Sequence, residues 1–340
     1  MKKLLILTQA VDLDDPYVGF FHHWIEALAA RFASVEAICL KEGRHALPAN
    51  VHVHSLGKER GPSRIKYVMR FFRYAWSLRN GYDTVFVHMN QEYVILGGWL
   101  WRLMGKRIAL WRNFPTGNRG TDIAVFFAHR VFCTAPQSYT ARFAKTSLMP
   151  VGIDTDFFAP RSVARVRTAC YIQGRVTPSK RVHLLLEAVA LLSARGVDVR
   201  ATVVGPEDPE YARMLRERFA GLISAGRVSL LGPKPLDETP IRYASHGIMI
   251  NLALPGHFDK TAFEGMACET PLIAVSGDFA GIIPPEWIVP DEDAAALASA
   301  IGRMIALPEA AYRALGARER AAVATDHSLL RLVDLLAAAL

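Results

Sequence analysis

Short apolar runs alternate with longer helical patterns along the whole chain. Apolar runs bounded by Gly, Pro, Asn or Asp are typical of buried strands, whereas apolar residues at every third or fourth position are typical of helices that cover a sheet. The predicted strands are 3–7, 35–40, 51–55, 84–88, 107–111, 131–134, 168–173, 199–204, 228–231, 247–251, 271–274 and 287–289. The predicted helices are 19–31, 64–79, 92–104, 122–128, 181–194, 209–225, 261–268, 294–306 and 328–340.

This alternation predicts an α/β chain with two doubly wound, Rossmann-like parallel sheets. A length of 340 residues supports two domains, because single cores stop growing at about 250–300 residues. The segment 151–160, VGIDTDFFAP, has the Gly and Pro of a connecting loop. We therefore predict an N-terminal domain at 1–150 and a C-terminal domain at 151–340, which face a central cleft where ligands bind beyond the strand ends.

The composition, 51% apolar and 21% charged, excludes a disordered chain. The formal net charge of +8 belongs to one half, since residues 1–160 have 20 basic and 12 acidic side chains and residues 161–340 have 20 of each. Basic residues are densest in Lys58–Arg79, where Lys66, Arg70 and Arg73 share one helical face and aromatic or aliphatic residues fill the rest. This helix either lies on an anionic membrane surface or packs into the core with only a basic stripe exposed.

Other features limit the classes of function. The four cysteines are far apart and are expected to be buried thiols, and the apolar run 4–7 is too short for a signal peptide. We therefore expect a cytoplasmic protein, with peripheral attachment to the inner face of the membrane as a hypothesis. The chain lacks GxGxxG, GxSxG, HExxH and Walker A motifs. DxD patterns at 12–14, 154–156 and 291–293 are interpreted as loop carboxylates, so we predict no metal site. No RNP, zinc or helix-turn-helix motif supports a nucleic-acid partner.

Two segments indicate anion binding. In YIQGRVTPSKR a strand ends, Arg175 and Lys180 lie in the following loop, and a helix begins. Such a loop can hold a diphosphate, although a basic surface turn has the same pattern. In PGHFDKTAFEGMACETPLIA, residues 255–274, Lys260 and Thr261 lie at a helix start, where free N–H groups favour anions. Glu264 lies one turn later. It either accepts a hydrogen bond from a sugar hydroxyl or is an ordinary, partly exposed helical carboxylate.

With VVGPEDPEY (203–211), VSLLG (228–232) and VGIDTDFFAP (151–160), these segments resemble the retaining glycosyltransferases of family 4, which have the GT-B fold. The resemblance implies a UDP- or GDP-linked sugar donor, no cofactor, and a glycan or lipid-linked acceptor in cell-surface polysaccharide or glycolipid synthesis. It implies that Arg175 and Lys180 bind the diphosphate, assisted by Lys260 and Thr261, and that Glu264 binds the ribose. The base would lie near Gly205, Pro206 and Gly232. Arg175, Lys180 and His88 are the candidate catalytic residues, and the acceptor would lie around Gly19, His88 and Asn113.

The chain departs from the family pattern at three places. The first glutamate of the E-x7-E motif is replaced by Gly256, for which His257 or Asp259 could substitute. Glu269 follows MAC where the family has glycine, which predicts a different helix end. The family histidine aligns near Asn113 or Phe114, and His88 either lines the cleft or belongs to the core or surface. These departures leave a non-catalytic binding subunit of the GT-B fold as the alternative function.

Overall fold

The structure is a computed structural model that describes residues 2–15, 18–256 and 258–340. The chain forms two compact units, Met1–Gly152 with Leu329–Leu340 (unit 1) and Ile153–Ser328 (unit 2). The junction lies close to the predicted boundary, but the last helix packs on unit 1 and not, as we predicted, on the C-terminal domain. By this division unit 1 has 21 basic and 11 acidic side chains, and unit 2 has 19 and 21. The charge excess is therefore confined to unit 1.

Unit 1 is built on a seven-stranded parallel sheet in the order β3-β2-β1-β4-β5-β6-β7. Its strands β1 and β4 are almost entirely buried, as continuous apolar runs predict for a sheet covered on both faces. The strands are β1 (Lys3–Val11), β2 (Ser34–Glu42), β3 (Val51–Ser55), β4 (Thr84–His88), β5 (Arg107–Trp111), β6 (Arg130–Cys133) and β7 (Thr146–Leu148). The helices are α1 (Phe21–Ala29), α2 (Arg64–Ser77), α3 (Glu92–Leu103), α4 (Arg119–Phe127) and, from the C-terminus, α12 (Leu329–Ala339).

Helix α12 completes the core of unit 1. Its apolar face, Leu332, Val333 and Leu336, is buried in one cluster with Trp24 and Leu28 of α1. Arg31 donates a hydrogen bond to Asp334 at 2.9 Å, and the Thr84 hydroxyl donates to the carbonyl of Leu340 at 3.0 Å. The amphipathic pattern of 328–340 was correctly assigned to a helix, but the pattern does not reveal which sheet the helix covers.

Unit 2 has a five-stranded parallel sheet in the order β10-β9-β8-β11-β12. The strands are β8 (Val166–Gln173), β9 (Arg200–Val204), β10 (Val228–Leu230), β11 (His246–Asn251) and β12 (Leu272–Ala274). The helices are α5 (Val182–Ala194), α6 (Pro209–Arg218), α7 (Ala220–Ser224), α8 (Thr239–Ser245), α9 (Lys260–Ala267), α10 (Ala294–Ala306) and α11 (Glu309–Asp326). The predicted α/β class with two Rossmann-like sheets is confirmed.

Two predicted elements are wrong, and three observed elements were not predicted. Segment 287–289 is not a strand, because Pro284 and Pro285 start a 3-10 turn at Pro285–Trp287 and only one bridge pairs Ala274 with Ile288. The predicted helix 209–225 is two helices, α6 and α7. Strand β7 and helices α8 and α11 were not predicted. Among the described residues, no single helix is long and apolar enough to cross a bilayer; α10 and α11 together reach that length and composition but are bent by 113°.

Helix α2 does not have the purely basic exposed stripe that we considered. Ile65, Met69 and Trp76 are exposed at 76%, 67% and 55%, and Lys66 and Arg73 are exposed between them. Arg70, predicted on the same basic face, is half-buried and donates to the carbonyl of Leu56 at 2.7 Å. Within α2 only Phe71 and Ala75 are fully buried. The exposed side of α2 therefore mixes large apolar side chains with cations.

Candidate functional site

The candidate site lies in unit 2, at the carboxyl edge of its sheet. The loops after β8, β9 and β10 meet there: Gly174 N–H donates to the carbonyl of Val204 at 2.9 Å, and Gly205 N–H donates to the carbonyl of Gly232 at 3.0 Å. A Cβ on Gly205 would lie 1.8 Å from the carbonyl oxygen of Gly174, so only glycine fits at this position. The structure therefore brings the predicted base-binding positions Gly205 and Gly232 next to the loop of Arg175.

The loop Gly174–Lys180 presents two cations with different surroundings. Arg175 is exposed, and its side chain forms no ion pair within the ranges that the structure describes. Lys180 is mostly buried, and its Nζ contacts the carboxylate of Asp259. Arg175 is therefore available to an anionic ligand, whereas Lys180 already has a carboxylate partner.

Arg181, the second cation of the Lys-Arg pair, belongs to the scaffold. It has a left-handed conformation at φ +50°, and it is buried, with 6% exposed. Its guanidinium donates to the carbonyl of Leu252 at 2.9 Å and pairs with Asp291. Arg181 thus ties the start of α5 to the carboxyl end of β11, which positions Lys180.

Asp259 is the residue that links the two predicted segments. It caps the start of α9 without a side-chain capping bond, and its carboxylate instead accepts from Lys180, from Asn251 Nδ2 at 2.9 Å and from the Thr261 hydroxyl at 3.3 Å. Burial opposes ionisation of Asp259, but the Lys180 charge and these hydrogen bonds outweigh it, so the pKa of this carboxyl lies below its ordinary value. Asp259 is therefore a carboxylate at neutral pH.

Lys260, which is half-buried, and Glu264, which is buried, lie one turn apart on α9, and the charge of each acts on the pKa of the other. Burial lowers the pKa of the Lys260 ammonium, and the negative charges of Glu264 and Asp154 act against that shift. Burial raises the pKa of the Glu264 carboxyl, and Lys260 and the hydrogen bond from the Tyr243 hydroxyl act against it. The Tyr243–Glu264 distance is 3.1 Å. Perturbed groups of this kind are enriched at functional sites.

The position of the missing glutamate is a tight turn. Gly256 has φ +92°, and its N–H donates to the Asp278 carboxylate at 2.7 Å. A glutamate at this left-handed position would be strained, and glycine avoids that strain. His257, the first suggested substitute, lies outside the described residues. Asp259, the second, is within the site but bonded to Lys180.

The predicted change at the end of α9 is wrong. Glu269 adopts the left-handed conformation expected of glycine, with φ +57°. Thr270 N–H donates to the carbonyl of Gly265 and Glu269 N–H to that of Met266, both at 3.0 Å. These two bonds form a Schellman motif, so the helix ends as it would with glycine, at a cost in backbone strain.

His88 of unit 1 lies at the carboxyl end of β4 and is buried. Its ring stacks on Phe21 with centroids 3.9 Å apart, and its Nδ1 lies 3.5 Å from the Thr8 hydroxyl. This environment favours the core-histidine alternative. Gly19 and Asn113 follow β1 and β5, the two neighbours of β4 in the sheet, and Asn113 Oδ1 accepts from Thr134 N–H at 2.8 Å. The predicted acceptor positions thus follow three adjacent strands.

The DxD carboxylates have local roles in the structure. Asp12 pairs with Lys41 at 2.9 Å and Asp14 with Arg44 at 2.6 Å. Asp154 accepts from the backbone of the following turn, and Asp293 caps α10 by accepting from Ala296 N–H. These contacts agree with the interpretation as loop carboxylates, and metal independence stays a prediction.

The decisive comparison is with protein families. Residues 167–306 match the family model described as glycosyl transferases group 1. This segment of the chain, about two fifths of its length, is similar to that family. A relative, D-inositol 3-phosphate glycosyltransferase of Kribbella flavida, is 27% identical over 157 residues, which cover 41% of this chain and 36% of that protein. The match thus spans about a third of the relative's length.

Solved structures confirm the GT-B fold over both units. Anabaena Alr3699/HepE in complex with UDP has a TM-score of 0.79 at 17% identity, covering 99% of each chain. Sucrose-phosphate synthase of Thermosynechococcus elongatus has a TM-score of 0.75 at 21% identity, covering 99% of this chain and 98% of that one. The segment 167–306 contains Arg175, Lys180, Asp259 and the pair on α9, so the candidate site lies within the part of the chain that matches the family model.

Sequence reasoning missed several members of this site. Asn251, Tyr243 and Asp278 contact predicted residues, and Asp154 adds negative charge beside Lys260. The position of Asp259 directly before the α9 pattern is a capping signal that could have marked it as part of the helix start. Tyr243 has no comparable signal, because only the packing of α8 on α9 brings it to Glu264.

Proposed function

We propose that the protein is a retaining glycosyltransferase that transfers a sugar from a UDP- or GDP-linked donor to a glycan or lipid-linked acceptor. The observation that carries this proposal is the cationic loop of Arg175 and Lys180 beside the glycine-lined strand ends, inside the segment that matches the group 1 family model. The HepE structures with UDP, and with UDP and glucose, support a UDP-linked donor. A role in cell-surface polysaccharide or glycolipid synthesis belongs to the same proposal.

In this mechanism the chain's residues position the donor and stabilise the leaving group. Arg175 and Lys180 contact the diphosphate, Lys260 and Thr261 assist, and Glu264 accepts from the ribose hydroxyls. The bond between the sugar and the diphosphate breaks while the acceptor oxygen bonds the same face of the sugar, and the acceptor proton passes to the departing diphosphate. Cations that are already in place beside the departing diphosphate oxygen stabilise the negative charge that develops on it, without reorganisation. No metal is required in this proposal.

Donor binding is tested by thermal shift with UDP-, GDP- and ADP-sugars, because a ligand of the native state raises the midpoint. We expect a UDP- or GDP-sugar to raise it and Arg175→Ala to reduce the shift. Arg195→Ala is the matched control, since this exposed arginine follows the far end of α5, about 20 Å away along the helix. Equal shifts in Arg175→Ala and the wild type would reject the diphosphate assignment.

The second candidate function is a non-catalytic binding subunit. It is favoured by Gly256 in its left-handed turn and by the pairing of Lys180 with Asp259, both of which reduce what the site offers to a donor sugar. The discriminating measurement is release of UDP from a UDP-sugar, with and without added acceptor. Release above the background of the Glu264→Gln variant supports the enzyme, and binding without release supports the subunit.

We propose that the acceptor binds unit 1 and that the protein is cytoplasmic and attaches peripherally to the inner face of the membrane. The support is the net charge of unit 1 and the exposed face of α2, where Ile65, Met69 and Trp76 alternate with Lys66 and Arg73. Each cation near anionic lipid contributes roughly 1 kcal/mol. Flotation with anionic liposomes at low salt tests this attachment, and failure to float with them would reject it.

A further inference from the structure

A small cavity of unit 1 lies where β3 leads into α2. Its volume is about 200 Å³, and it is lined by Arg60, Lys66, Tyr67 and Arg70 together with Gly57 and Gly61. A water molecule occupies about 30 Å³ and a drug-sized ligand needs about 300–1,000 Å³. The cavity is therefore too small for a nucleotide sugar, but it has room for a phosphate group with a few attached atoms.

The lining of this cavity is strongly cationic. It contains three basic side chains and no acidic one. The nearest carboxylate in sequence, Glu59, accepts the Ser55 hydroxyl at 2.8 Å and contacts Arg60 Nε at 3.3 Å, so Arg60 is the lining cation that has a carboxylate partner. Lys66 is exposed and forms no ion pair with any described residue. Of the three cations that line the cavity, Lys66 and Arg70 thus have no carboxylate partner among the described residues and are available to an anion.

The backbone is built around the guanidinium of Arg70. One of its nitrogens donates to the carbonyl of Leu56 at 2.7 Å, which fixes the orientation of the group. Gly57 has φ +92°, and a Cβ there would lie 1.8 Å from Arg70 Nη1. The glycine therefore makes the space in which the guanidinium lies, and the other donors of this fixed fork remain available to an anion.

We infer that this cavity binds a phosphate group, presented either by a lipid head group or by a soluble phosphate ester. Three cations around the cavity, of which Arg70 is held in a fixed orientation, match the charge and the oxygen acceptors of a phosphate. The exposed apolar side chains of Ile65 and Met69 on the same helix provide contacts for a lipid source. The inference deepens the membrane attachment proposed above and does not depend on the donor site of unit 2.

The test uses the full chain and two probes: glycerol phosphate in solution, and phosphatidylcholine vesicles with or without phosphatidic acid. Lys66→Ala removes a cation that lines the cavity, and Lys58→Ala removes an exposed lysine of the same segment outside it. We expect Lys66→Ala to weaken phosphate binding about tenfold, the effect of one charge-assisted hydrogen bond, and Lys58→Ala to weaken it less than about threefold. Arg70→Lys, which loses the fork, should act like Lys66→Ala.

The two probes distinguish the sources of the phosphate. Binding of phosphatidic acid vesicles that glycerol phosphate competes away indicates a lipid head group, and binding of glycerol phosphate alone indicates a soluble ester. Equal losses in Lys58→Ala and Lys66→Ala, or no binding of either probe at low salt, would overturn the inference. UDP binding measured on the same variants shows that they are folded. If the wild type does not bind UDP, that result counts against the donor proposal and not against the phosphate site.

Discussion

Replacing Lys180 with alanine should destabilise unit 2 through Asp259. The two side chains are only 20% and 14% exposed, so the substitution leaves a nearly buried carboxylate without its cation. Breaking such a pair costs about 3–5 kcal/mol. Because Asn251 and Thr261 still donate to Asp259, we expect the lower end, about 3 kcal/mol, which corresponds to a fall of roughly 6–12 °C in the thermal midpoint.

The pH dependence gives a second readout of the same contact. In the wild type the pKa of Asp259 lies below its ordinary value, so its contribution to stability is present above the unfolded pKa and is lost as the pH falls through the folded value. Without Lys180, burial raises the folded pKa, and Asp259 becomes protonated in the acidic range. The difference in free energy of unfolding between the wild type and Lys180→Ala should therefore be largest near pH 8 and should decrease towards pH 4.

The double variant Lys180→Ala/Asp259→Asn separates folding from binding. It removes both charges, so thermal unfolding should recover most of the lost stability, while UDP binding in the same samples should stay lost. Wild-type stability of Lys180→Ala at pH 8 would show that the ion pair contributes nothing. Retained UDP affinity in the stable double variant would show that Lys180 is not a diphosphate ligand.

Four further substitutions test the scaffold. Gly205→Ala places a Cβ 1.8 Å from the Gly174 carbonyl and should lower the thermal midpoint and abolish UDP binding, whereas Gly232→Ala, with no atom within 4 Å of its Cβ, should cost only about 1 kcal/mol of left-handed strain. Glu269→Gly should stabilise by about 0.5–1 kcal/mol in denaturant titration, because relieved strain exceeds the added entropy of the unfolded chain. Glu319 is fully buried, accepts Leu272 N–H at 3.0 Å and has its pKa raised well above the ordinary value by burial. Wild-type stability should therefore fall above about pH 4.5 by up to about 1.4 kcal/mol per pH unit, and Glu319→Gln, neutral at every pH, should lose that slope in denaturant titrations at pH 5 and pH 8.

The parts of the fold that were predictable are those with local causes. Strand β4 was predicted at its observed bounds, because its apolar run is continuous and both ends are marked by polar turns. Strand β7 has three residues, none fully buried, and its pattern is too short to recognise. Helix α11 has a buried stripe that includes the charged residue Glu319, which weakened its amphipathic pattern.

The site was predictable as a set of positions but not as a set of contacts. Glycines after three strands and cations before a helix are visible in the sequence, and the structure groups them at one sheet edge. The partner of Lys180 lies 79 residues away, and no spacing rule connects them. Lys180 and Arg181 are adjacent cations in the sequence, yet Lys180 contacts Asp259 at the site while Arg181 is buried in the interior.

The return of α12 to unit 1 has a consequence for biosynthesis. When residues 1–152 have left the ribosome, the surface of Trp24 and Leu28 that Leu332 and Leu336 cover is still exposed to water. Unit 2, by contrast, is continuous in sequence and has all its residues once Ser328 has emerged. Although its segment is made first, unit 1 is completed last, and during translation its uncovered apolar surface is a natural binding site for a chaperone.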